Sequence, residues 1–365
     1  MDLEQTSWLD LDYQPKLPVN KSMGIGIVGA GDIVQACHLP AYEMAGFKVV
    51  GIFDVDTVKA RQVAEKFKVK NVFHSLDELL AHPEVEIVDV AVPAKNQLAV
   101  VEKVVAKGKH VLCQKPLSEN LTNARRLVEL CAEANVKAAV NQQMRWAPGI
   151  RSSHTIIQRG WLGTLTQASI QVNVLTPWET WPWMMSIQGM EFMYHSIHYM
   201  DSIRFLFGTP EYIYADGARF PGQPWSAETR TMIHLKFPGE ARGLIHDNHN
   251  NFASEDDWYA TFRFEGTKGT IKGTNGALYN YPIGKEDSIS FFSKEIKNDC
   301  WISPKLEGRW FPHAFMGTMG ELMRAIEERR EPENSVADNL KTLEMVFAAS
   351  RSMQQNRPVW LEEID

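Results

Sequence analysis

Apolar residues follow two rhythms along the chain, and the change falls near residue 164. Before it, the short apolar runs GIGIV, VVGIF, NVFHS, EIVDVAVP, KHVLC and VKAAVNQQMRW read as strands. Between them QACHLPAYEMAGF, KARQVAEKF, LDELLAH, NQLAVVEKVVAKG and TNARRLVELCAEAN carry helical spacing. Strands separated by such helices imply a parallel sheet with right-handed crossovers, and ligands gather beyond the carboxyl ends of its strands. After the change, TLTQASIQVNVL, EYIYADGAR, ETRTMIHLKF, ARGLIHDNHN and WYATFRFEG alternate apolar and polar residues, as antiparallel strands with one covered face do. Two helices joined by a turn around Pro332 close the chain. The expected fold class is α/β: an extension over 1–20, a doubly wound parallel sheet over 21–143, and a C-terminal α/β domain over 144–365 with a large, mainly antiparallel open sheet.

Composition narrows the function. A chain of 365 residues exceeds what one hydrophobic core usually supports, which agrees with two domains. The net charge of -7 offers no broad basic field for nucleic acid. No apolar run reaches the roughly 18–20 residues of a membrane span, and the acidic first twenty residues lack a signal core. The four cysteines, Cys37, Cys113, Cys131 and Cys300, form no C-x-x-C pair and read as reduced thiols of a cytoplasmic protein. Eleven tryptophans are many, and Trp178, Trp181 and Trp183 crowd into TPWETWPWMM, where flat rings suit the apolar faces of sugars.

Chemistry collects at the strand ends. GIGIVGAGDIV runs from strand to glycine turn to helix, so Gly29, Gly31, Asp32 and Ile33 would cradle the pyrophosphate of a dinucleotide in a Rossmann domain, although Val34 replaces the third glycine. Asp54 follows Gly29 by twenty-five residues at the end of the second strand. A carboxylate there accepts both ribose hydroxyls and repels a 2′-phosphate, so NAD is expected over NADP. Val92, Pro93, Asn96 and Gln97 follow the fourth strand, Gln114 and Lys115 end the fifth, and Gln143 follows the sixth, and all seven are expected to contact the cofactor, with Arg145 just beyond them.

In MYHSIHYMDSIRFLFG, Tyr194, His198 and Asp201 fall at i, i+4 and i+7 of a helix, one polar stripe on an otherwise apolar element, with His195 rotated about a hundred degrees away. Three such groups on one face imply a polar cleft. His246 and His249, with His195 and His198, raise the question of a metal. Residues three apart on a strand face opposite ways, however, and no metal is expected. Asn248, His246 and His313 remain as pocket-lining groups.

CQKPLS at 113–118, taken with GIVGAGDIV, VAVPAKNQ, NQQMRWAP, the 194–208 helix, FRFEGTKGTIKG, WFPHAF and DNLKTLEMVFAASRS, resembles the glucose-fructose oxidoreductase and inositol dehydrogenase family (Gfo/Idh/MocA) over nearly the whole chain. The resemblance implies that Lys115 lies beside the nicotinamide and favours a developing alkoxide. It implies that His198 takes or gives the hydroxyl proton, and that Asp201, Arg145 and the neighbouring aromatics line the pocket. A histidine base and a lysine cation suit oxidation of a secondary alcohol. The chain departs from the family pattern at Val34, at Gln97 in place of histidine, at Gln114 in place of glutamate, and at Tyr194 in place of aspartate. Expected is hydride transfer between NAD and a secondary hydroxyl of a sugar, polyol, sugar acid or glycoside, with Lys115, His198 and Tyr194 catalytic. Substrate contacts come from Lys115, Arg145, Trp178, Trp181, Tyr194, His195, His198 and Asp201. Two alternatives share these residues: a glycosidase or lyase that retains NAD through an internal redox cycle, and a non-catalytic NAD- or sugar-binding protein. The resemblance also implies a homo-oligomer, a dimer or tetramer formed through the C-terminal sheet.

Overall fold

Polar atoms at the carboxyl end of a parallel sheet position most of the chemistry, and the fold follows from how that sheet is built. The structure, a computed structural model, describes residues 9–364 except 185, 188, 254, 280–283 and 297–299; the first eight residues of the expected extension lie outside them. The chain forms two compact units, one of residues 15–143 and 312–343, the other of the rest.

In the parallel-sheet unit, β1 (Ile25–Val28), α1 (Leu39–Ala45), β2 (Val49–Phe53), α2 (Thr57–Phe67), β3 (Asn71–Val72), α3 (Leu76–Ala81), β4 (Ile87–Val90), α4 (Ala94–Ala106), β5 (His110–Gln114), α5 (Leu121–Glu133) and β6 (Ala138–Asn141) alternate as the sequence pattern predicts. The strand order is β3-β2-β1-β4-β5-β6, all parallel, with the switch point between β1 and β4. β1, β4 and β6 are buried along their whole lengths, as strands covered on both faces must be. The helix after β1 departs from expectation: it runs as a π turn over Val34–His38 before α1. Inside it His38, wholly buried, bonds Asp89 Oδ2 at 2.7 Å and Asn141 at 3.1 Å, so both of its ring nitrogens find partners in a polar core. The helix His313–Glu327 also belongs to this unit, where Thr318 donates to Asn141 at 2.8 Å and Asn334, just beyond the helix, donates to the Val140 carbonyl at 2.7 Å.

In the mixed-sheet unit, α6 (Pro148–Gln158) and α7 (Ile197–Phe207) pack against a sheet of β7 (Leu165–Asn173), β8 (Tyr212–Ala218), β9 (Arg230–Lys236), β10 (Arg242–Asn248), β11 (Tyr259–Gly266), β12 (Gly269–Thr274), β13 (Ser288–Ser293) and β14 (Val359–Trp360). The order is β13-β12-β11-β7-β10-β9-β8-β14. Every pair is antiparallel except β7 with β10, which places the long connection carrying α7 between two parallel neighbours. Residues 9–14 belong to this unit, where Gln14 donates to the Glu307 carbonyl and Tyr13 accepts from the Glu307 N–H. Among the described residues no helix is long and apolar enough to cross a membrane.

Candidate active site

The glycine turn of the parallel-sheet unit has the shape a dinucleotide needs. Gly29 adopts φ +111°, and a Cβ there would stand 2.4 Å from the Ala91 carbonyl, so only glycine fits. A Cβ on Gly31 would meet nothing within 4 Å, which leaves the approach to the turn open. Asp32 is exposed and Ile33 half-buried beside it, while Val34, in the third glycine's place, is buried in the π turn. Asp54 anchors the turn as well as ending β2. Its Oδ2 accepts the Ala30 N–H at 2.6 Å and its Oδ1 accepts the Asp56 N–H at 2.8 Å. Each oxygen keeps a second lone pair for a ribose hydroxyl.

Lys115 is held by its neighbours. Gln97, on α4 and fully buried, donates its amide to the carbonyls of Gln114 and Pro116 at 2.7 and 2.8 Å, straddling Lys115. Gln114 closes the loop by accepting the Lys115 N–H at 2.9 Å. The two glutamines that depart from the family pattern thus fasten one loop. Val92, Pro93 and Asn96 form the partly exposed entry to α4, and Gln143, just past β6, is buried with its Oε1 lacking a hydrogen-bond partner. A glycine cradle that excludes a side chain, a carboxylate at the ribose position and an unmatched acceptor fit a nicotinamide dinucleotide.

In the mixed-sheet unit the unbroken α-helix expected to carry the polar stripe over 194–201 is interrupted, while His198 and Asp201 keep their three-residue spacing on α7. Phe192–Ser196 is a π turn, and α7 starts only at Ile197, so the 3.6-residue phase is broken between Tyr194 and His198. The four groups take different neighbours. Tyr194 meets the edge of Trp183 at 5.5 Å, His195 meets Glu191 at 3.0 Å, and His198 is buried edge-on against Trp310 at 5.1 Å. Asp201 accepts two hydrogen bonds from Arg145, from Nε and Nη2, each 2.7 Å long. That ion pair is 2% and 0% exposed, with Arg204 Nη2 3.5 Å from the same carboxylate. Of the three crowded tryptophans, Trp178 is 2% exposed and packs on His195 and His249, Trp181 is half-buried, and Trp183 is 48% exposed. His246 lies on β10, and His313 opens the helix that joins the parallel-sheet unit. Glu191, Asp247 and Thr176 also border the histidines. Glu191 precedes His195 by four residues, a spacing visible in the sequence once the segment is known to be helical.

A model described as the oxidoreductase family with NAD-binding Rossmann fold matches residues 23–142, and one described as the GFO/IDH/MocA C-terminal domain matches 150–272, together about two-thirds of the chain. The chain belongs to the Gfo/Idh/MocA family of oxidoreductases, and its parallel-sheet unit is the family's NAD-binding domain. D-apiose dehydrogenase of Paraburkholderia graminis is 23% identical over 341 residues, 93% of this chain and 90% of its own. Myo-inositol 2-dehydrogenase of Thermotoga maritima is 23% identical over 353 residues, 94% and 99% of the two chains. A solved oxidoreductase from Agrobacterium radiobacter, in complex with NAD+, L-tartaric acid and magnesium, shares the fold at a TM-score of 0.82 and 20% identity, covering 94% of this chain and 100% of that one.

Proposed function

We propose that the protein is an NAD-dependent dehydrogenase of a secondary hydroxyl in a sugar, polyol, sugar acid or glycoside. The observation that carries this reading is Lys115, fixed at the end of β5 by the Gln97 and Gln114 hydrogen bonds in an NAD-binding domain. The named substrates of the apiose and inositol relatives support the substrate class. Bound NAD supplies the hydride acceptor. Gly29, Gly31, Asp32, Ile33, Asp54, Val92, Pro93, Asn96 and Gln143 hold the dinucleotide. Lys115 Nζ stabilises negative charge on the substrate oxygen as its proton leaves, and an imidazole nitrogen of His198 takes that proton. Tyr194, a neutral donor and acceptor, bonds a second hydroxyl. Trp183 offers the accessible ring for a sugar face, a task the burial of Trp178 argues against. Arg145 and Asp201, spent on one another, shape the pocket rather than bind charge.

The buried, unpaired thiols of Cys37, Cys113 and Cys131 support a cytoplasmic setting. Exposed Tyr214, Met232 and Leu244 on neighbouring strands β8, β9 and β10 support association of two copies through this sheet. The test of the reaction is NADH formation with a panel of sugars, polyols, sugar acids and glycosides, followed in wild type, Lys115→Ala and His198→Ala. His198→Ala should bind NAD normally, and each variant should lose roughly a hundredfold or more in kcat. Near-full turnover in both would sink the assignment.

A further inference from the structure

The mixed-sheet unit contains a cluster that hydride transfer does not use. The carboxylate of Glu191, wholly buried, lies 3.0 and 3.1 Å by its two oxygens from His195 Nδ1, and Glu191 Oε1 lies 3.8 Å from His249 Nε2. One ligand atom from each of Glu191, His195 and His249 falls within 4.8 Å of the other two. The strand-parity argument separates His249 from His246, as expected, but His249 finds its partner elsewhere, in His195.

The surroundings have the features of a metal's outer shell. Thr176 Oγ1 lies 2.6 Å from His249 Nδ1, which turns Nε2 toward the cluster and fixes the ring. Backbone bonds from His249 N–H to the Thr229 carbonyl and from Thr176 N–H to the His249 carbonyl make the support rigid. Trp178 covers both rings, with centroid distances of 5.4 and 6.4 Å. Asp247, also wholly buried, has Oδ1 3.0 Å from His249 Nε2, and that oxygen makes no hydrogen bond of good geometry. Tyr199 Oη lies 3.4 Å from the same His249 Nε2, and Ser196 Oγ donates to Asp247 Oδ2 at 2.9 Å.

Two carboxylates out of water need compensating positive charge. The two imidazoles are poorly placed to provide it together, because they stack 4.0 Å apart and 9° from parallel, where two cations would repel. A divalent cation between the carboxylate and the rings compensates both acids at once. Two nitrogens and a carboxylate are the donor set of three-ligand zinc sites that keep a fourth position open, and imidazole donors favour first-row transition metals over magnesium or calcium. An imidazole binds a metal in its own plane, and these rings share none, so loading requires one to tilt. His195 is the ring with room, its side chain being 18% exposed against 3% for His249.

We propose that Glu191, His195 and His249 form a mononuclear site for a divalent transition metal of the zinc type, with an open position for water or a ligand hydroxyl. The test uses the full-length protein, stripped with a chelator and dialysed against Zn2+, with Co2+ as a visible-absorbing substitute. One Zn2+ per chain should be retained through gel filtration, and Co2+ should give ligand-field absorption that Zn2+ displaces. His195→Gln, His249→Gln and Glu191→Gln should each abolish both signals, while His246→Gln on β10 keeps them. Because His195 is partly exposed, its variant is the one expected to fold unchanged, checked by circular dichroism and NAD binding. Failure of the wild type to retain Zn2+, or retention of a full equivalent by folded His195→Gln, overturns the proposal.

Discussion

Arg145 and Asp201 test whether a charged pair predicted for the substrate pocket instead holds the fold. Both hydrogen bonds are 2.7 Å long and the groups are 2% and 0% exposed, so almost no water screens them. At an effective dielectric near 20, two unit charges about 4 Å apart attract by about 4 kcal/mol. Removing either partner strands the other, at about 3–5 kcal/mol. The two losses should differ. Arg145→Met leaves Asp201 with Arg204 3.5 Å away as a substitute, so its cost should lie near 3 kcal/mol. Asp201→Leu leaves two arginines close together without their acid, and should cost about 5 kcal/mol. The double variant replaces the pair with apolar groups of similar size and should recover more than half of the summed loss, giving a coupling energy above about 4 kcal/mol. Urea unfolding followed by tryptophan fluorescence measures all four proteins, and NADH assays give KM alongside. Single variants within about 1 kcal/mol of wild type, the range of solvent-exposed pairs, would refute the reasoning. So would additive losses. A raised KM in Arg145→Met with unchanged stability would return the arginine to the substrate.

Two further outcomes follow from single carboxylates. Asp54→Asn keeps an acceptor for the Ala30 N–H but removes the charge at the ribose, so the ratio of kcat/KM for NAD over NADP should fall about tenfold, or about 1.4 kcal/mol, in paired assays; an unchanged ratio would mean that the charge does not select the cofactor. Asp287, buried beneath the Gly276 N–H at 2.7 Å, has its carboxyl pushed up to about 7 mainly by burial. An acid whose folded pKa exceeds its unfolded one contributes stability fully below the unfolded value, near 4, and loses it as pH rises to about 7. Asp287→Asn should therefore flatten the fall in urea midpoint between pH 5 and pH 8, and an unaltered slope in the variant would exclude Asp287 as its source.

The parallel-sheet unit was legible because its signals are local. Each strand is a short buried run, each helix repeats near 3.6 residues, and the glycine turn and Asp54 stand where a dinucleotide requires them. One outer strand of the second sheet was less so. β14 is only two residues long, too short to show a period, and exists because β8 offers it an edge. The parallel pairing of β7 with β10 depends on where the connection through α7 runs, which no window along the chain contains.

The site was legible in its residue types and illegible in its pairings. Spacing put Tyr194, His198 and Asp201 on one stripe by assuming an unbroken α-helix, and the π turn over Phe192–Ser196 broke that assumption. A π turn inserts the equivalent of one residue, so every face downstream is rotated relative to the residues before it. The consequence is visible in the partners: Tyr194 is drawn to Trp183, His195 to Glu191 and His249, His198 to Trp310, and Asp201 to Arg145. All five of these partners lie outside the 193–208 segment, and the two arms of the Gln97 clamp reach acceptors 17 and 19 residues away. A sequence names the groups that need partners, because burying them alone is costly, but the partners are chosen by the sheet that brings distant segments together. The same logic explains the departures from the family pattern: Gln97 and Gln114 surrender the charge expected at their positions, and together supply the hydrogen bonds that fix Lys115.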